Sequence, residues 1–438
     1  MQGASRGLGE NQYPSPQPSP GGRGCGSNSS QNLAPIRCRV KTDTLSRRAG
    51  EGGGEGAETP DLTYCLNIHP GESWDEQFEA IRTHACAVRE RVAHGRLFPL
   101  GLRLSAASAR TLSHSNVRNH FCEFLRAENL CVFTINAFPY GAFHGARVKD
   151  NVYRPDWRTA ERETFTRDCA AVLAALLPES GRGSISTVPV GFAPDFCAQS
   201  DRDRAMDRLV EMALFLARME SETGRCIHLA LEPEPGCVLE SCDETTSFFE
   251  ALYARAGERE PAVRRHIGVC LDTCHAALAF EPPIETWARY RAAGIAVPKV
   301  QLSAALEVHG QPNRALARFG EPVYLHQVRI TGSGGARTAF NDLPDALAAW
   351  PADAECARIH FHVPLFWSGN SLLRTTADLL DAGFWDAVRS RPETHLEIET
   401  YTFDVLPPEL RRGTVVDSIA REFAWVQSRL TGGNRELY

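Results

Sequence analysis

From Leu62 onward the chain alternates between two hydrophobic patterns. Short runs of branched and apolar residues fill 62–69, 100–105, 130–138, 184–190, 226–232, 266–272, 297–303, 358–363 and 395–401, and such runs between polar stretches predict β-strands. A weaker run of the same kind covers 323–330. Between them lie longer stretches with apolar residues three and four apart, the period of an amphipathic helix. Phe78, Ile81, Ala85, Val88 and Val92 share one face of 74–93, and Leu209, Val210, Ala213, Leu216 and Ala217 share one face of 202–223. A last helix is predicted over 418–430.

Strands that recur every few tens of residues, each followed by a helix, predict βαβ units and a parallel sheet. Seven or more units in one chain fit an α/β fold of the closed (β/α)8 TIM-barrel type better than an open sheet. Nine strong strand runs exceed the eight of a barrel, so an elaborated region is expected near 304–363. A doubly wound open sheet is the alternative. Its nucleotide-binding versions lack support, because no Gly-x-Gly-x-x-Gly follows the first strand and no phosphate-loop motif occurs. Residues 1–60 differ in kind, with Pro/Gly/Ser-rich and Gly-rich segments that offer no core-forming pattern. They are expected to form a disordered arm, or, preferably, to be translated sequence ahead of a misassigned start. Residues 61–438 are expected to form a single barrel domain.

The composition narrows the function classes. The 438 residues carry 47 Lys+Arg against 54 Asp+Glu, a net charge of −7, which argues against a nucleic-acid partner. Fourteen Cys are too dilute for a disulfide scaffold, no Cys-x-x-Cys pair occurs, and several sit inside apolar runs, as free thiols of a reducing compartment do. No apolar run reaches the ~20 residues of a membrane span, and no signal peptide is visible. A cytoplasmic protein acting on a small molecule, without a membrane or nucleic-acid partner, is expected.

In a barrel the chemistry sits at strand C-termini. The fifth strand run ends Leu231-Glu232-Pro233-Glu234, the sixth Leu271-Asp272-Thr273-Cys274-His275, and the last reads Leu396-Glu397-Ile398-Glu399. Two acids on one strand face are costly to bury unless something positive lies opposite. A divalent ion shared with Glu232 and Asp272 would supply it. Asp272 could instead cap the following helix. His360 and His362 alternate onto one face of 358–363, at good ligand spacing, with His362 nearer the strand end. Glu234, Glu397 and His360 are assigned to substrate contact.

The segments Asp272-Thr273-Cys274-His275, Glu399-Thr400 and Glu232-Pro233 resemble motifs of the xylose isomerase-like TIM barrels, which include sugar epimerases and endonuclease IV. More closely, 229–235, 359–364 and 395–407 resemble the EboE family, described as a metabolite traffic protein on a sugar phosphate isomerase-like barrel. The resemblance covers roughly 61–430. It implies a divalent metal, Mn2+ or Zn2+, held by Glu232, Asp272 and Glu399 with a fourth ligand near the seventh strand. There the expected His is Gln301, so either His362 supplies the imidazole or the metal site is altered.

These residues imply a metal-assisted isomerase or epimerase for a sugar-like or polyol-like metabolite, in a biosynthetic or export pathway. Glu232 and Glu399 would exchange a proton as general base and acid, and His275 would hold a substrate hydroxyl. The Gly-rich 331–337 could cradle a phosphate if the substrate is phosphorylated. Two rival readings are an endonuclease IV-like phosphodiesterase and a non-catalytic metabolite carrier.

Overall fold

A computed structural model describes residues 60–144, 148–408 and 410–432. The N-terminal arm expected from the sequence lies outside the described residues. Eight strands run parallel to one another: β1 (Leu62–Tyr64), β2 (Phe98–Arg103), β3 (Leu130–Asn136), β4 (Arg182–Thr187), β5 (Cys226–Leu231), β6 (Ile267–Asp272), β7 (Ala296–Leu302) and the last strand of the chain, His395–Ile398. Their order around the sheet follows the chain, with the last strand lying between β7 and β1. The ring closes where Cys65 bridges Gly101 and the Thr63 hydroxyl donates to the Pro99 carbonyl at 2.8 Å. The fold is a (β/α)8 barrel.

The apolar side chains of these strands, among them Leu229, Leu231, Val269, Leu271, Val300, Leu302 and Leu396, are fully or almost fully buried within one continuous core cluster. The helix Gln199–Thr223 buries Leu209, Val210, Ala213 and Leu216 in that same cluster. It stops at Gly224, whose φ of 70° a side-chain-bearing residue rarely adopts. The expected helix over 74–93 is interrupted by a five-residue π turn, Ile81–Ala85, a local widening that a 3.6-residue period does not reveal.

The lumen is polar. Lys299 of β7 reaches across it to donate to the Ser186 hydroxyl of β4 at 3.1 Å, and it pairs with Glu397 at 2.6 Å. One layer below, Ser184 bridges Thr134 and His395. Gly101 is required by this packing, since a Cβ there would fall 2.1 Å from the Glu397 carboxylate.

The extra strand runs form a second sheet. After β7 the chain makes β8 (Leu306–His309), β9 (Val328–Gly332), β10 (Arg337–Phe340), β11 (Ala354–Ile359) and β12 (Arg374–Thr375), so the closing barrel strand His395–Ile398 is β13. The sheet is antiparallel, in the order β10-β9-β11-β8-β12. The elaboration extends past 363 to Thr375, and the run 358–363, within the region where the excess strand was expected, is no barrel strand. It ends the antiparallel β11 at Ile359 and then passes back, with the Val363 amide donating to the Ala304 carbonyl at 3.0 Å. A period of two is the same in either sheet, so alternation alone could not tell them apart.

Candidate functional site

Glu232 follows β5, Asp272 ends β6 and Glu399 follows β13, and all three side chains are buried. Asp272 is both things the sequence allowed. Its Oδ1 caps the next turn, accepting from the Cys274 and His275 amides at 2.7 and 3.1 Å and from the Ser303 hydroxyl at 2.6 Å. Its Oδ2 has no hydrogen-bond partner, and neither has Glu232 Oε2 or Glu399 Oε2. The other Glu399 oxygen takes long 3.4 Å bonds from the Asn67 amide, in the 3-10 turn after β1, and the Asn136 amide, at the end of β3. Three buried carboxylates with a spare oxygen each are what a cation site requires, because an unpaired buried polar atom is otherwise costly.

The titration of these acids is split. Burial, then the charges of Asp272 and Glu234, hold the Glu232 carboxyl well above the usual range. Burial, then Glu232 and Asp272, do the same to Glu399. Burial also opposes ionisation of Asp272, but the His275 and His362 imidazoles and the Ser303 hydrogen bond leave it below its ordinary value. Without a cation, burial and mutual repulsion thus favour the protonated form of Glu232 and Glu399, while Asp272 ionises more readily.

Three imidazoles border the acids. His275 Nε2 is 3.8 Å from Asp272 Oδ2, and His360 Nε2 is 3.1 Å from His275 Nε2 and 3.2 Å from His362 Nε2. Burial pushes His275 down to about 4, His360 further, and His362 below its ordinary value, so all three rings are neutral near pH 7. Glu234 accepts from the Tyr153 hydroxyl at 2.8 Å, and burial raises its carboxyl to about 8. Phe143, Tyr324 and Tyr401 pack against one another at 5.2–5.4 Å, and all three line the cavity, which has about 60 Å3 of space.

Among the assigned residues, Glu232, Glu234, His275, His360, His362 and Glu399 all line this cavity, and Asp272 touches His275 behind them. Two others do not reach it. Gln301 is fully buried outside the lining, where its Oε1 accepts from the Cys270 thiol at 3.0 Å. Glu397 lies one layer down, paired with Lys299, so a substrate in the cavity does not reach it. The Gly-rich segment 331–337 is also displaced. It forms the exposed turn between β9 and β10, away from the lining, and Arg337 donates to the Ala279 carbonyl. The phosphate cradle expected there is not part of this cavity. Sequence reasoning passed over Asn67, Asn136 and Ser303, although the strand-end rule that selects Glu232 selects them too. Tyr153 ends the short 3-10 helix Lys149–Tyr153, and Gln327 lies just before β9 within the weak run 323–330.

No family model and no curated protein sequence matches the chain. Solved structures resemble it at low identity. The IOLI protein with a bound zinc atom aligns at 12% identity over 86% of this chain and 100% of its own, with a TM-score of 0.42. A xylose isomerase-like TIM barrel protein from Mycobacterium smegmatis in complex with magnesium aligns at 12% over 85% and 97%, TM-score 0.46. D-psicose 3-epimerase with D-tagatose, from Clostridium cellulolyticum H10, aligns at 12% over 85% and 99%, TM-score 0.45. Among the described residues no helix is long and apolar enough to cross a membrane.

Proposed function

We propose that the protein is a metal-dependent isomerase or epimerase, which moves a proton on the carbon beside a carbonyl of an uncharged sugar-like or polyol-like metabolite. The observation that carries this reading is the set of three buried carboxylates at the C-terminal ends of β5, β6 and β13, each with one unpartnered oxygen. Glu232, Asp272 and Glu399, with His362 beside them, are the residues that would hold a divalent ion. Such an ion, when bound, polarises a substrate carbonyl and acidifies the neighbouring C–H.

The chain's own groups do the rest. Glu232 and Glu399 come from strands that are not neighbours in the ring, so they flank a substrate held between them. One takes the proton as base and the other returns one as acid. Asn67 and Asn136 fix the Glu399 carboxylate through its Oε1 and leave Oε2 for that exchange. Tyr153 orients Glu234, which is placed to bind a substrate hydroxyl. The Phe143–Tyr324–Tyr401 cluster keeps water from the reacting carbon.

Charge selects the substrate. Among the described lining residues Lys149 is the one lysine or arginine, and its ammonium is held by Asp342 at 2.5 Å, against three glutamates. Among the described lining residues a phosphate group finds no free cationic side chain. The test is incubation of Mn2+-loaded protein in D2O with D-fructose, D-psicose, D-tagatose and their 6-phosphates, read by NMR. Deuterium should enter the carbon next to the carbonyl of an unphosphorylated sugar and cease after chelation. Exchange confined to the phosphates, or surviving chelation, would refute the reading.

A further inference from the structure

The three Nε2 atoms of His275, His360 and His362 meet without a hydrogen among them. Each ring's other nitrogen already faces an acceptor. His275 Nδ1 lies 3.0 Å from the Pro233 carbonyl oxygen and His362 Nδ1 2.7 Å from that of Glu399. A backbone carbonyl only accepts, so both Nδ1 atoms carry the proton. His360 Nδ1 lies 2.6 Å from Gln327 Oε1. The far end of that amide fixes its orientation. Gln327 Nε2 donates to the Pro235 carbonyl at 3.1 Å and to the Tyr153 hydroxyl at 2.9 Å, and turning the amide over would set two oxygens face to face. His360 is therefore protonated on Nδ1 as well.

The His360 lone pair then faces those of His275 and His362 across 3.1 and 3.2 Å, an arrangement that is repulsive unless a cation lies among them. That spacing is the one two imidazoles take when each binds the same ion at about 2.0–2.1 Å. The negative charge is at hand, because Asp272 Oδ2 is unpartnered 3.8 Å from His275 Nε2. The backbone carbonyls and Gln327 serve as the outer partners that fix ligand tautomers in metal sites.

We infer that His275, His360 and His362, with Asp272 Oδ2, form a nitrogen-rich metal centre for a borderline first-row ion such as Zn2+, Co2+ or Fe2+. Three neutral nitrogens disfavour the hard ions Mg2+ and Ca2+. The Glu232 and Glu399 side chains are not needed to hold this ion. The centre deepens the proposed function, with which it shares Asp272 and His362, and it rests on that reading only for its catalytic use.

The test is to strip the full chain with chelator, reload it with Co2+, and follow bound metal by elemental analysis and the visible cobalt spectrum. Wild type should hold at least one ion with the bands of nitrogen-ligated cobalt, and should prefer Co2+ over Mg2+. His275→Gln and His360→Gln should each weaken Co2+ binding by more than about 100-fold with an unchanged circular dichroism spectrum. Glu399→Gln should retain the ion within a few-fold. Wild-type cobalt without nitrogen-ligand bands, or either His variant binding like wild type, would overturn the assignment. If Glu399→Gln alone releases the ion, the ion belongs to the carboxylates, and the proposed function survives while this centre does not. A stripped chain that takes up no ion defeats both.

Discussion

Glu399→Gln should lower carbon-bound proton exchange on the responding sugar by about 10³-fold while the barrel remains folded. The magnitude is that of a positioned general acid or base. The substitution keeps the shape of the side chain, and an amide oxygen can accept from Asn67 and Asn136 as the carboxylate oxygen does. It removes a carboxyl that burial and the neighbouring acids Glu232 and Asp272 disfavour in charged form, so urea unfolding should show stability equal to or above wild type. The two measurements together separate a catalytic role from a structural one. A Glu399→Gln protein that exchanges at more than a tenth of the wild-type rate would remove Glu399 from the mechanism.

Lys299→Met should have the largest effect on stability. Lys299 and Glu397 are both fully buried, and their 2.6 Å pair crosses a lumen in which the Ser186 hydroxyl accepts the second bond from the ammonium. Removing the ammonium leaves Glu397 without its positive partner, pressed against Gly101. Breaking one partner of a buried pair costs about 3–5 kcal/mol, a large part of the roughly 5–15 kcal/mol that holds an ordinary domain together. Replacing both, as in Lys299→Met with Glu397→Leu, should recover much of that loss, because the uncompensated charge goes too. Urea denaturation of the two variants checks this. A single variant within about 1 kcal/mol of wild type would show that the pair carries little.

The ring of strands was legible because the βαβ rhythm repeats so often. The strand-end acids were legible for a local reason, since Glu232, Asp272 and Glu399 each follow an apolar run that must be inside. Glu397 shows where that logic stops. It shares a face with Glu399, but two residues along a strand is about 6.6 Å, a full layer of the lumen. At that depth the answering charge is Lys299, on a strand 98 residues away by position in the ring rather than by any local pattern. Gln301 misled in the opposite direction. The resemblance placed an imidazole on β7, whereas the imidazoles beside Asp272 are those of His275, in the turn that Asp272 caps, and His362, brought in between β11 and β12 of the antiparallel sheet. Only tertiary packing carries that information. The same holds for Tyr153 and Gln327, which order Glu234 and His360 from outside the barrel strands.

The central claim is that the strand-end acids and the imidazoles beside them form a cation site. Its signature is protons. Burial and neighbouring acids hold the Glu232 and Glu399 carboxyls well above the usual range, so a cation entering beside them favours the loss of their protons. Calorimetric titration of the chelator-stripped chain with Zn2+ and Mn2+ at pH 7, in buffers of different ionisation heat, reads this directly. Tight binding with release of about one to two protons, and an affinity that rises with pH, is the predicted result. Absence of binding, or binding that releases no proton and is indifferent to pH, would contradict it.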